Sequence, residues 1–302
     1  MKSAVIRAYG GPDELRLEER PDPIPGPGYV LVRVAATSVN PFDLKMRAGV
    51  FKDVIRVTFP AILGFDVSGV VEAVGPGGES FGRGDRVFAQ ATQTYASLCL
   101  VKATDLVRIP AHMDSIDVAA LPTVTVTGSQ LADLATQAQP SGTVLVTGAV
   151  GNVGRSAVFA AKNKGWIVIA GVRTTQVEHG KATGADRVVA LDDESSLASL
   201  ESVDAVADTV SGPTADKLTG KVKKGGVFAS VLAPPSNAAA NPDVRIATMQ
   251  VKPAPATLIE MAEAVRAGKL TIPLGQRFAL AEANKAHLAA EKGASGKVLL
   301  LA

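Results

Sequence analysis

The sequence predicts a two-part α/β protein, a β-barrel-like part and a doubly wound parallel sheet. Three observations predict it. The first third of the chain holds short apolar runs punctuated by glycines. From about residue 143 the pattern changes to strand, helix, strand, helix. A glycine run, Gly148, Gly151 and Gly154, sits at the first strand–helix junction of that second part.

The elements follow in order. The opening MKSAVIRAYGG alternates apolar and polar residues, as a half-exposed strand does. After the Pro/Gly segment PDPIPGPG comes a β-rich run, YVLVRVAATSVN. VSGVVEAVG and DRVFAQA read as two more strands, separated by GPGGESFGRG. Short strands with frequent glycine turns suggest a small barrel or sandwich. PAHMDSIDVAAL reads as a helix entry, with Asp114 or Ser115 as cap. TVLVTG is then an apolar strand, and NVGRSAVFAAKNKG is a helix closed by Gly165. WIVIAGV, DRVVAL, VDAVADTV and GGVFASVL are further strands, with helical segments between them. Near-continuous apolar strands alternating with helices mark a parallel sheet buried on both faces. APPSNAAANPDV reads as a loop between domains. TLIEMAEAVRAG and LAEANKAHLAAEKG are helices, and KVLLLA is a last strand.

Composition narrows the function. The net charge of +2 is too small to point to nucleic acid or a membrane surface. No apolar stretch reaches the ~20 residues that span a bilayer, and the start lacks the apolar core of a signal peptide. The single cysteine, Cys99, excludes an internal disulfide and a multi-cysteine metal site. A cytoplasmic protein is expected.

The strongest chemical signal is VLVTGAVGNVGRSAVFAA. Gly148, Ala149, Val150, Gly151, Asn152, Val153 and Gly154 link a strand to a helix. Such a turn lets backbone N–H groups approach a pyrophosphate, and the helix N-terminus adds a favourable field for the anion. The spacing is G-x-x-G-x-x-G rather than G-x-G-x-x-G, and Asn152 is expected to tolerate left-handed backbone there. The next strand discriminates NAD from NADP. An acid about 20 positions after the glycines would hold a ribose hydroxyl. That strand ends AGVRTTQ, with Arg173 in the acid's place. Arg173 presents a planar fork for a phosphate, and Thr174 and Thr175 add hydroxyls. NADPH is the expected cofactor.

Several segments together resemble the zinc-free quinone oxidoreductases of the medium-chain dehydrogenase/reductase superfamily. Asn40-Pro41-Phe42-Asp43 with Arg47 and Gly49 is similar to that family's NPxDxxxRxG segment. Gly64 to Val71 resembles GxDxxGxV, and Gly84-Asp85-Arg86-Val87 matches GDRV. Gly148 to Gly154 falls on the nucleotide loop. Gly268-Lys269-Leu270 and Gly296-Lys297-Val298 match the C-terminal pattern.

The resemblance implies a GroES-like substrate domain at 1–120 and a Rossmann NADPH-binding domain at 121–244. It also implies a segment, 245–302, returning to the substrate domain. Cofactor and substrate would meet in a cleft between domains, and the protein would be a homodimer. Zinc-using relatives carry a histidine ligand where this chain has Phe65, and a cysteine near Val39 and Asn40. His112, His179 and His287 lack ligand spacing and read as surface or helix residues. No metal is therefore expected.

Without a metal to polarise a carbonyl, the substrate must itself be electrophilic. Quinones fit, and conjugated enones or 2-alkenals are the alternative. A cofactor-binding protein with little turnover is a third reading. Asn40, Phe42, Asp43 and Lys45 are the candidates to line the substrate site. Asn40 would offer amide hydrogen bonds near the nicotinamide. Asp43 has an equal reading as a cap, Phe42 as core, and Lys45 as a solvated lysine.

Overall fold

The computed structural model describes residues 1–302. In chain order it opens with β1 (Lys2–Ile6), β2 (Arg16–Glu19) and β3 (Tyr29–Ser38). Next come α1 (Pro41–Arg47), β4 (Ala61–Ile62), β5 (Asp66–Val74) and β6 (Arg86–Gln90). β7 (Leu98–Lys102), β8 (Val107–Arg108) and α2 (Pro122–Thr136) follow. The parallel part holds β9 (Thr143–Thr147), α3 (Asn152–Asn163), β10 (Ile167–Val172) and α4 (Val177–Lys181). It continues through β11 (Arg187–Ala190), α5 (Glu194–Ser199), β12 (Val203–Asp208) and α6 (Pro213–Thr219). It closes with β13 (Val222–Ser230) and β14 (Arg245–Thr248). The tail is α7 (Pro255–Arg266), β15 (Leu274–Ala279), α8 (Ala283–Glu291) and β16 (Lys297–Leu301).

The chain divides into two compact units, Met1–Thr123 with Pro253–Ala302, and Val124–Lys252. In the first, a seven-stranded sheet runs β15-β16-β3-β5-β6-β8, with β7 also paired to β3. A three-stranded sheet, β2-β1-β4, accompanies it. This is the GroES-like arrangement. β16 lies antiparallel to β3, with Leu299 opposite Ser38, so the last strand completes a sheet begun by the third. Val30, Val32, Val34, Val67, Val71 and Val87 form one core of this unit. Their β-branched side chains suit a pleated, buried surface. A second core gathers Ile6, Met46, Leu63, Tyr95, Ala286 and Leu300.

In the second unit, six parallel strands are ordered β11-β10-β9-β12-β13-β14. Each strand after β9 pairs with its neighbour in parallel, and the order reverses beside β9. That reversal makes a doubly wound sheet, whose switch point is where such folds bind ligands. β10 is buried from Val168 to Val172, which is why it reads as one unbroken apolar run. α3 turns small residues inward, Gly154, Ser156, Ala157, Ala160 and Ala161, and so packs close to β9 and β10.

The structure corrects three expectations. β14 pairs with β13 from Val227–Arg245 to Ser230–Thr248, so 245–248 stay in the parallel sheet and the unit ends at Lys252, not 244. The stretch 233–244 is thus a loop inside that unit, not between units, and carries a short 3-10 turn at Ala238–Ala240. The helix expected near Asp114 is a 3-10 turn, Asp117–Ala120, followed by α2. Asp114 does cap that region, its Oδ1 accepting the N–H groups of Ile116 and Asp117 at 2.8 and 3.2 Å.

Candidate active site

Two constellations carry chemistry, one in each unit. The first is the turn between β9 and α3. Gly148 has φ +59°, a left-handed conformation that glycine adopts without steric cost. A Cβ on it would also stand 2.5 Å from the Thr209 hydroxyl. A Cβ on Gly154 would overlap the carbonyl oxygen of Gly148, so helix and loop touch backbone to backbone. Gly151 differs, having an ordinary φ of −74°. A Cβ there meets only the Gly148 oxygen, at 3.2 Å. Asn152 is the first helical residue of α3 and needs no left-handed backbone, so that role falls to Gly148 instead. Ala149 is buried, and Val150 and Val153 are half-buried along the same turn. The first-turn N–H groups of α3 have no intrahelical acceptor and are left for an anion. The turn therefore fits the pyrophosphate of a dinucleotide.

The ends of three strands beside this turn are tied by Asp208, which the sequence reading missed. Its Oδ1 accepts the Thr147 hydroxyl at 2.8 Å and the Val210 N–H at 3.1 Å. Its Oδ2 accepts the Ser230 hydroxyl at 2.9 Å. Thr147 and Ser230 end β9 and β13, so one buried carboxylate fixes the carboxyl edge of the sheet. The signal in the sequence was an acid closing the apolar strand VDAVAD.

Arg173 follows β10 and is exposed, with Thr174 and Thr175 beside it in a 3-10 turn. Thr174 is committed elsewhere. Its N–H and hydroxyl both donate to Asp192 Oδ1, at 2.7 and 2.8 Å. Arg173 and Thr175 are left as the donors facing solvent at this strand end.

The second constellation lies in the GroES-like unit, around α1. Asn40 precedes the helix with extended backbone, and Pro41 opens it, the position where proline costs no hydrogen bond. Asn40 is only 2% exposed. Its Nδ2 donates to Asp66 Oδ2 at 2.7 Å, and its Oδ1 accepts from Lys297 Nζ. The amide that the sequence offered to a nicotinamide is thus committed to the protein. Asp66 also accepts the Thr123 N–H at 2.6 Å and the Ser38 hydroxyl. Lys297, 3% exposed, lies 4.0 Å from that carboxylate. Burial pulls the Lys297 ammonium below its ordinary range, and the carboxylates of Asp66 and Asp43 oppose the pull.

Asp43 is fully buried, and its oxygens accept the N–H groups of Asn40 at 2.7 Å and Gly64 at 3.1 Å. It caps α1 and pins the next loop to it. Burial, aided by the charge of Asp66, pushes its carboxyl up to about 7 despite those bonds. The Tyr95 hydroxyl lies 3.0 Å from His287 Nε2. His287 Nδ1 lies 3.2 Å from Arg47 Nη1. Arginine only donates, so Nδ1 accepts and Nε2 carries the proton. The donors run one way, from Arg47 to His287 and on to the Tyr95 hydroxyl. Burial, and then the Arg47 charge, hold His287 down at about 3, so it stays neutral. His112 and His179 are exposed.

Phe42 packs into the core. Its ring lies 5.2 Å from Phe51 and 4.9 Å from Phe65. Phe65 stands in the zinc-ligand position of the metal-using relatives, and here it is an edge-to-face partner of Phe42. No group of three or more His, Cys, Asp or Glu side chains is placed to hold a metal ion. Lys45 is half-buried on α1, and its side chain makes neither a hydrogen bond nor an ion pair.

A GroES-like unit and a doubly wound nucleotide sheet with a glycine turn define a two-part dehydrogenase. Comparison with known families agrees. Residues 26–111 match the alcohol dehydrogenase GroES-like domain, and 183–300 match the zinc-binding dehydrogenase family. The chain is 28% identical to a 2-haloacrylate reductase from a Burkholderia species, over 94% of each chain. It is 31% identical to the acryloyl-coenzyme A reductase of Metallosphaera sedula, over 75% of each. Among solved structures, the quinone oxidoreductase from Coxiella burnetii superposes with a TM-score of 0.88. That match has 27% identity and covers 100% of this chain and 99% of the other. A mycobacterial protein complexed with NADPH superposes with a TM-score of 0.83 at 26% identity, over 100% of both chains.

The chain belongs to the quinone oxidoreductase-like family of the medium-chain dehydrogenase/reductase superfamily. It is an oxidoreductase that uses a nicotinamide cofactor.

Proposed function

We propose that the protein transfers hydride from NADPH to a quinone or a similar conjugated carbonyl, without a metal. The observation that carries the cofactor choice is Arg173, exposed at the carboxyl end of β10 where an acid would bind NADH. The first-turn N–H groups of α3 take the pyrophosphate, and Arg173 with Thr175 takes the 2′-phosphate. When bound, the nicotinamide supplies a hydride and so two electrons. A quinone that receives them becomes a hydroquinone anion, which takes its proton from water. No protein acid is required for that step.

The four substrate-site candidates divide by geometry. Asp43 and Asn40 position α1, and Phe42 packs beneath it. Lys45 alone has an unpartnered charge to offer, to a ribose hydroxyl or to negative charge growing on a substrate oxygen. Reduction of an activated alkene is the second reading. It is favoured by the names of two relatives, a haloacrylate reductase and an acryloyl-thioester reductase. An alkene reduced by hydride leaves an enolate, which gains more from a nearby cation than a hydroquinone anion does.

The test is NADPH consumption with a panel of quinones, 2-alkenals and acrylates, with and without a chelator. Turnover of quinones that survives EDTA is expected. Activity that disappears with EDTA and returns with zinc refutes the metal-free reading. Turnover of alkenes alone transfers the assignment to the second reading.

A further inference from the structure

The acid missing from the end of β10 reappears at the end of the neighbouring strand. β10 and β11 are parallel, with Val172 opposite Ala190. The residues leaving both strands therefore run side by side, and Leu191 N–H donates to Val172 O at 2.8 Å. Two acids follow, and they face different ways. Asp193 caps α5, its Oδ1 accepting the Ser196 N–H at 2.7 Å. Asp192 turns to β10 and accepts both the N–H and the hydroxyl of Thr174. Arg173 precedes Thr174 in sequence, and the charged side chains of Arg173 and Asp192 are both exposed at the carboxyl edge of the sheet. The two Thr174 bonds, and then the Arg173 charge, hold the Asp192 carboxyl below the usual carboxylate range. It is a fixed anion at neutral pH.

We propose that Asp192 is a specificity-determining residue of the cofactor site, a fixed negative charge that opposes the 2′-phosphate which Arg173 attracts. This inference rests on the NADPH reading above. A dianionic phosphate brought to Arg173 meets a carboxylate held one residue away by Thr174. The 2′-hydroxyl of NADH is neutral and meets no such repulsion. Asp192 thus weakens NADPH selectively and holds the preference set by Arg173 below its full extent.

The experiment is a titration of NADPH and of NADH against wild type, Asp192→Asn and Arg173→Ala. The asparagine keeps an acceptor for Thr174 and removes the charge. Asp192→Asn is expected to tighten NADPH about five- to tenfold at low salt, the size of an exposed interaction with a dianion. NADH affinity should hold within about twofold, and the gain should shrink at high salt. Asp192→Ala, which removes charge and acceptor together, must move the ratio the same way. A purely structural cap would lower thermal stability and leave the NADPH:NADH ratio alone. An unchanged ratio in both Asp192 variants at low salt overturns the proposal. The underlying reading fails separately, when Arg173→Ala leaves NADPH affinity unchanged.

Discussion

Replacing Lys297 by methionine tests the buried polar cluster of the GroES-like unit. The change keeps most of the stem volume and removes one charge. Asp66 then remains a buried carboxylate with three donors, the Asn40 amide, the Thr123 N–H and the Ser38 hydroxyl. Removing one partner of a buried pair costs about 3–5 kcal/mol, chiefly because the other charge stays behind. The surviving donors place this case at the lower end, about 3 kcal/mol. For a unit of this size each kcal/mol shifts the midpoint by about 2–4 °C, so calorimetry should show a fall of about 6–12 °C. Asp66→Asn alone should be destabilising too, by stranding the ammonium against Asn40 Oδ1. The double variant Lys297→Met/Asp66→Asn strands neither charge and should lie well above the sum of the two. A single-variant cost below about 1 kcal/mol, or strict additivity in the double, would refute this account.

Four further outcomes are expected. Gly154→Ala drives a Cβ into the Gly148 carbonyl and should cost about 1–3 kcal/mol and abolish NADPH binding. Gly151→Ala meets that oxygen at only 3.2 Å and should fold, with weakened NADPH affinity read by titration. Asp43 and His287 should give opposite pH slopes. A carboxyl raised to about 7 makes the native state bind the extra proton, so its share of stability falls as pH rises from about 4 to 7. A histidine lowered to about 3 stays neutral when folded, so its share is full above about 6.5 and is lost as pH falls towards 3. Denaturation across pH should therefore show a steeper acid loss in Asp43→Asn, and a flatter one in His287→Gln. The reverse order would show that the two groups do not titrate as their burial implies. Finally, Lys45→Met should lower alkene turnover more than quinone turnover if Lys45 serves the substrate oxygen. Both should fall together with NADPH affinity if it holds the ribose, and unchanged kinetics remove it from the site.

The nucleotide half was legible because its signals are local. Periodicity, glycine spacing and the strand-end residue all lie within about 30 positions, the reach of a βαβ unit. β14 escaped because RIAT is short and follows a stretch rich in alanine, proline and asparagine. Asp192 gives no such local signal because it follows β11, and only the parallel pairing of β10 with β11 brings the residues after both strands to one place. In the other half, Asn40, Asp66 and Lys297 each sit in a recognisable motif, but no motif states that they touch. Asn40 and Lys297 lie 257 residues apart. His287 read as an ordinary helix residue because its partners, Tyr95 and Arg47, come from distant segments.

That separation has a consequence for how the chain is made. The sheet of the first unit cannot be finished until β16 leaves the ribosome, long after β3 and β5 have emerged. Until then β3 presents an open edge where Ala36, Thr37 and Ser38 will later pair. The intervening unit, contiguous from Val124 to Lys252, needs nothing from either end and can fold first. A chain without β16 would carry a finished nucleotide sheet in one unit and an unfinished sheet in the other. Loss of β16 would therefore register as a folding defect of the first unit rather than as a loss of catalysis.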